Sequence, residues 1–296
     1  MRRLWLISTD HQEEELWFRD DEDFKVGMNY VAIQASCCPE VSVLSFILMS
    51  NHVHFVLKGE RWDVKDFIEQ FKQRYSLYMR HRWGIKEFLR GNWVQIKEIS
   101  DTDEDLERAI AYVQMNCVAA NICAHPSQYP FGTGNSFFNT VRSTTDVVKQ
   151  GWKRLGDLSA RARGSMLHSN YDNLPDDWHI GPDGFILPQD YVDVKAVEEV
   201  FHTPRRMNYF LQSSSKARKR LESEEHLPAF RDQIILAALP DLYRSLFGKY
   251  SFKELNPDEQ TECMRQIRFR FSADVNQIAR VCGVSYAEAA RIMDRA

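Results

Sequence analysis

The first 140 residues predict an α+β fold of the ferredoxin-like sandwich type. The expectation is an antiparallel sheet of four strands or slightly more with helices on one side, followed by an all-α C-terminal region. Three observations carry it. Short β-prone and helical runs alternate in the order strand, helix, strand, strand, helix, strand, helix. The break at Ser50-Asn51 separates two apolar runs, which makes those two strands a hairpin. From about residue 190 short amphipathic helical stretches dominate.

Leu4–Ser8 reads as a first strand. Asp23 is a candidate N-cap for a helix in which Phe24, Met28, Val31, Ala32 and Ala35 recur at helical spacing, and Pro39 stops it. Val41–Leu48 is apolar enough for a central strand, and the run from Asn51 to Leu57 is its hairpin partner. A long helix from Asp63 to Arg82 carries the stripe Val64, Phe67, Ile68, Phe71, Tyr75 and Tyr78 or Met79. Gly84 and Gly91 bracket a loop, and Asn92–Ile99 alternates as a fourth strand. The acidic run 100–105 then opens a helix with Leu106, Ile110, Val113 and Cys117 inside. Residues 1–140 are read as one domain, 141–190 as a basic helical and loop linker, and 191–296 as a helical C-terminal region.

The 296 residues carry a net charge of −4, against the basic surplus expected of a nucleic-acid binder. Local stripes soften that exclusion. Lys65, Lys72, Arg74, Arg80 and Arg82 decorate the long helix beside Tyr75. Interleaved cations and aromatics suit a phosphate backbone with stacked bases, and equally a core stripe with a solvated face. Further basic clusters lie at 142–163, at Arg205 and Arg206, and at 216–220. No apolar run reaches the roughly 20 residues of a membrane helix. The six cysteines lack metal-type spacing and read as reduced thiols of a cytoplasmic protein.

The chemistry centres on Met49-Ser50-Asn51-His52-Val53-His54-Phe55-Val56-Leu57. In a strand, His52 and His54 project from one face while Val53, Phe55 and Leu57 fill the other. Two imidazoles on one face are either a packed pair or two ligands of a metal whose third ligand comes from elsewhere. Tyr112 and Asn116, at i and i+4, share one helical face. Near the C-terminus, 274–295 has helix-turn-helix grammar: a first helix ending at Gly283, then Ser285 capping a second helix. Tyr286 and Arg291 of that second helix face DNA if the unit enters a groove, or a packing partner if it does not.

The strand at 49–57 closely resembles the Met-Pro-Asn-His-Val-His strand of single-tyrosine HUH transposases, which include insertion-sequence and REP-associated tyrosine transposases. Phe67–Ser76 resembles that family's Phe/Leu-Lys-x-x-Tyr-Ser helix, Tyr112–Val118 its Tyr-Ile-x-x-Asn-Pro-Val block, and Tyr129–Ser136 its closing turn. The likeness spans about 1–140 in order and spacing. Ser50 and Cys117 stand where the family has proline, and Trp93-Val94-Gln95-Ile96-Lys97 replaces its Trp-Gln-x-Arg-Tyr form.

The resemblance implies that Tyr112 is the nucleophile on a phosphodiester in hairpin-forming single-stranded DNA, giving a 5′-phosphotyrosine. It implies that His52, His54 and Asn116 hold a divalent ion, Mg2+ or Mn2+. Tyr75 and Tyr78 compete with Tyr112 on residue type alone. The implied protein is a cytoplasmic, nucleoid-associated monomer or homodimer that cuts and rejoins DNA; the alternative is a host-adopted regulatory descendant.

Overall fold

A computed structural model describes residues 3–10, 16–100, 102–139, 151–214 and 230–294. The chain opens with β1 (Arg3–Thr9), α1 (Asp21–Cys37), β2 (Ser42–Met49), β3 (His52–Gly59), α2 (Arg61–Trp83), β4 (Val94–Ile99), α3 (Asp103–Gln114) and the short α4 (Asn116–Ala119). The four strands form one sheet in the order β2-β3-β1-β4, every neighbour antiparallel. This is the split βαβ arrangement expected of a ferredoxin-like sandwich.

Alternation along β3 sorts the two faces of the sheet. Phe55 meets Phe67 and Phe71 of α2 edge-on, at ring centroid distances of 6.0 and 5.8 Å. The ring of His54, on the other face, lies 5.8 Å from that of Tyr112 on α3. Helices α1 and α2 thus form the expected layer, and α3 adds a second layer across the opposite face. Trp17, Phe18, Phe24, Phe55, Phe67, Phe71 and Tyr75 are all fully buried in the α1/α2 layer or beneath it. Each such ring contributes roughly 1.5–3 kcal/mol by leaving water.

β2, expected as a central strand, stands at the edge of the sheet, and its apolar character is explained by chain from further on that closes its outer edge. Leu48 N–H donates to the Phe131 carbonyl, Thr133 N–H to that of Phe46, and Asp193 N–H to that of Val43. Gly132 is required there, because a Cβ would sit 2.7 Å from the Phe46 carbonyl oxygen. Covering an edge in this way removes a template for unwanted strand pairing.

The cap of α1 falls at Asp20, whose side chain accepts from Asp23 N–H, and not at Asp23. Asp23 is fully buried and committed elsewhere. Its carboxylate accepts from Arg19 N–H, Tyr78 O–H, Arg82 and the Trp83 indole, tying the end of α2 to the start of α1. Burial, reinforced by the Asp23 charge, pushes the Tyr78 hydroxyl far above the ordinary phenol range.

Beyond the sheet come β5 (Lys153–Arg154), α5 (Ala160–Leu167), β6 (His179–Ile180), α6 (Pro188–Tyr191), α7 (Val194–Phe201) and α8 (Pro204–Ser213). The described part of 141–190, read from sequence as a linker, packs against the sheet unit. Leu155, Leu167, Leu174, Ile180 and Ile186 are buried in the same cluster as the sheet, and the Asn29 amide bonds to Gly184 and Ile186 backbone. The basic run beginning at 142 lies partly outside the described residues, and that at 216–220 wholly outside.

A second cluster gathers α9 (Asp232–Phe247), α10 (Pro257–Phe271), α11 (Val275–Cys282) and α12 (Tyr286–Asp294). Helices α11 and α12 are joined through Gly283 at φ +67°, as the turn grammar requires. None of the six cysteines is in a disulfide. No helix among the described residues is long and apolar enough to cross a membrane.

The junction at Asp23 makes a direct test. Asp23→Ala takes the acceptor from the Tyr78 hydroxyl and the Trp83 indole and leaves Arg82 with the Asp20 carboxylate. Removal of one partner from such a buried network costs about 3 kcal/mol. Urea unfolding should show that loss, whereas Asp21→Ala, at an exposed position of the same helix, should change stability by less than about 1 kcal/mol.

Candidate active site

The register of the central strand places the histidines. Ser8 of β1 pairs with His54 of β3, and its Oγ lies 2.7 Å from His54 Nδ1. His52 Nδ1 lies 2.8 Å from Asn51 Oδ1. An amide oxygen only accepts, so His52 Nδ1 carries the proton and Nε2 is the lone-pair nitrogen of the neutral ring. The two rings stand edge to face at 4.8 Å. Both residues are buried, with Asn51 and Ser50 buried beside them.

Thr102 caps the helix opposite, accepting from Asp105 N–H, with Asp103, Glu104 and Asp105 in its first turn. The cap and the acidic first turn together favour the helix terminus. Tyr112 is half-buried on α3, its ring crossing that of His54 at 81°. Burial pushes its hydroxyl above the ordinary phenol range. The hydroxyl therefore stays protonated at neutral pH until a base or a nearby positive charge helps remove the proton.

Asn116 does not continue the tyrosine helix as the i, i+4 reading assumed. Helix α3 ends at Gln114, Met115 makes the turn, and Asn116 begins α4. The Asn116 amide donates to the Tyr112 and Val113 carbonyls at 2.9 and 3.0 Å, which fixes the side chain at the helix end. Both Nδ2 protons are spent on α3, so the atom left to bind a ligand is Oδ1.

The donor set fits a divalent ion. Two imidazoles share one face with Nδ1 of each engaged by an oxygen, the arrangement that presents Nε2 to a metal. Among the described residues no three His, Cys, Asp or Glu side chains gather into a metal cluster. A third ligand from the described residues would therefore be a group of another kind, and the Asn116 amide oxygen is one such group.

Two positioning groups carried no signal in the sequence. Ser8 reaches His54 only because β1 lies beside β3. Glu107, fully buried on α3, is paired with Arg206 of α8, whose Nη2 donates at 2.8 Å while Nε donates to the other oxygen. That bidentate clamp, 99 residues apart in sequence, secures the helix bearing Tyr112.

The expected DNA contacts on α2 divide into several environments. Lys65 is exposed, its Nζ 5.8 Å above the Trp62 ring. Lys72 is buried, donating to the Asn92 carbonyl at 2.7 Å and pairing with Glu69. Arg74 lies against Cys37 and the Tyr171 ring. Arg80 is exposed and donates to the Lys86 carbonyl. Arg82 is engaged by Asp20 and Asp23. Tyr75 requires a correction: it is fully buried and its hydroxyl donates to the Trp17 carbonyl at 2.7 Å, so it packs the core and touches no nucleic acid. Tyr286 and Arg291 are exposed on α12, away from the histidine face in sequence and in cluster.

The clamp on α3 is testable by unfolding. Arg206→Met leaves the Glu107 charge buried, a loss of about 2 kcal/mol once the partial exposure of Arg206 is allowed for. Adding Glu107→Gln to that variant should restore at least half of the loss in urea denaturation. An additive double variant would mean that the pair contributes nothing jointly.

Residues 18–114 match the model of a family described as "Transposase IS200 like". A solved structure described as "Structure of the REP associates tyrosine transposase bound to a REP hairpin" is similar at 14% identity and a TM-score of 0.34, over 45% of this chain and 78% of that one. No curated protein matches the chain.

Proposed function

We propose, on the premise that the segment carrying the histidine strand belongs to the IS200-like transposase family, that this transposase cleaves and rejoins single-stranded DNA through Tyr112. The observation that carries the reading is the crossing of the Tyr112 ring over His54, with His52 beside it on the same strand face. A nucleophile and two metal-binding side chains then meet in one place from two separate elements.

In the proposed reaction the Tyr112 oxygen attacks phosphorus, the P–O3′ bond breaks, and the 3′ oxygen leaves as a hydroxyl. The phenol proton passes to a base or water, and the departing oxygen takes one up. One phosphodiester is exchanged for another, so the bond energy is kept for rejoining. His52, His54 and Asn116 would hold a Mg2+ or Mn2+ ion, which would supply positive charge at the scissile phosphate. Ser8 and Asn51 hold the imidazoles in place, while Asn116, bonded to the Tyr112 carbonyl, couples the end of α3 to that donor set. Hairpin DNA is the proposed substrate, and the α11–α12 unit, with Tyr286 and Arg291 exposed, is the proposed contact for duplex.

Incubating the chain with hairpin DNA and Mg2+ or Mn2+ should give a covalent protein–DNA adduct on a denaturing gel. Tyr112→Phe should abolish it, and adduct at the wild-type level in that variant would remove Tyr112 as nucleophile. His52→Ala, or chelation by EDTA, should reduce cleavage by about 100-fold while hairpin binding persists.

A further inference from the structure

Two tryptophans stand in water where burial is the norm. Trp62 at the start of α2 is 79% exposed and Trp93 just before β4 is 60% exposed. Both line one groove of about 1060 Å3 that runs between α2, the loop 84–93 and β4. Its walls carry Arg61, Lys65, Lys72 and Arg90 against the single carboxylate of Glu69, in a chain whose net charge is −4. Exposed rings next to concentrated cations are what an unpaired nucleic-acid strand needs: faces for its bases and charges for its phosphates.

The groove is held in shape by its own bonds. Lys72 and Ser76 of α2 donate to the Asn92 and Phe88 carbonyls, anchoring the loop. Asp10 and Trp93 exchange backbone bonds at 3.0 Å and, through the Asp10 carboxylate, 3.2 Å. Trp93 is therefore fixed at the end of the strand ladder. With Lys72 spent on the loop, Arg61 and Lys65 are the exposed cations beside Trp62.

The ladder also fixes the groove's distance from the candidate active site. Gln95 pairs with Ser8, and Ser8 pairs with His54. The row Gln95-Ser8-His54 spans two strand spacings, roughly 10 Å. Trp93 stands two residues before Gln95, just ahead of β4. A strand leaving the histidine face thus reaches the groove by rounding the β4 edge.

We propose that this groove is a single-stranded DNA subsite, in which bases flanking the scissile phosphate stack on Trp62 and Trp93 while Arg61 and Lys65 contact the phosphates. The proposal rests on the DNA-cleavage reading above and adds the place where the unpaired flank lies. Duplex does not satisfy it, because paired bases offer no free face to the rings.

The test uses the 296-residue chain carrying Tyr112→Phe, which binds without cutting, and labelled hairpin DNA with or without an unpaired flank. In fluorescence anisotropy Trp62→Ala and Trp93→Ala should each weaken binding of the flanked hairpin about tenfold and leave the blunt hairpin unchanged. Trp62→Phe and Trp93→Phe should retain most of the affinity, and tryptophan emission should be quenched only by flanked DNA. Equal loss for both hairpins, or no loss, overturns the groove; the cleavage reading then stands or falls separately, on the Tyr112 adduct. Tighter binding of an RNA flank than of the DNA flank overturns the assignment to DNA. Absence of both adduct and binding removes the cleavage reading and the groove with it.

Discussion

The pairing of β1 with β3, Ser8 opposite His54, is the constraint on which the remaining geometry hangs. A strand shows alternate residues to opposite faces, so a shift of one residue would carry His52 and His54 under α2 and bring Phe55 out beneath α3. The register is pinned from both sides. Phe55 packs among Phe46, Phe67 and Phe71, and His54 meets the hydroxyl of Ser8. Because β1 also pairs with β4, the same register sets where Trp93 emerges. Candidate active site and groove are thus two consequences of one ladder.

The helical C-terminal cluster is joined to this frame around the start of α9, where Arg231 pairs with Asp21 and Gln233 reaches the turn after β2. The Gln233 amide donates to the Phe18 carbonyl at 2.7 Å and to Ser50 Oγ at 3.3 Å. Its neighbour Asp232, also buried, accepts from Gln277 and Arg280 of α11. One end of α9 therefore holds both the turn preceding Asn51-His52 and the first helix of the helix-turn-helix-like unit. Ser50 is the position at which this chain departs from the proline of the family strand it resembles. Proline has no side-chain acceptor, so the departure creates the contact that Gln233 uses.

Much of the fold was legible because local chemistry and tertiary structure agree. The hairpin, the cap at Thr102 and the left-handed glycines at 84 and 91 follow from residues within a few positions of one another. The histidine face was legible for the same reason, since period-two alternation is a local property. The misreadings have a different origin. Asp20 and Asp23 are equally good caps by type, and only the approach of Tyr78, Arg82 and Trp83 decides which one is consumed in the core. Tyr75 sits on a stripe whose helical period is the same for a core face and for a DNA face, so its burial is a tertiary fact. Glu107 and Arg206 have no sequence relation at all.

The burial of Tyr112 shows why the parts of the candidate site must act together. A half-buried phenol whose ionisation is made harder by its surroundings is a poor nucleophile alone. The same enclosure strengthens every electrostatic interaction with a phosphate brought against it, because the local dielectric is low. Burial is the cause of that penalty; Arg108, one turn before Tyr112 on α3, is paired with Glu104, and Glu107 with Arg206. In the proposed reaction the compensating charge would come from an ion on the histidine face. A tyrosine placed this way would, in that reaction, stay protonated until substrate and cation were both in position.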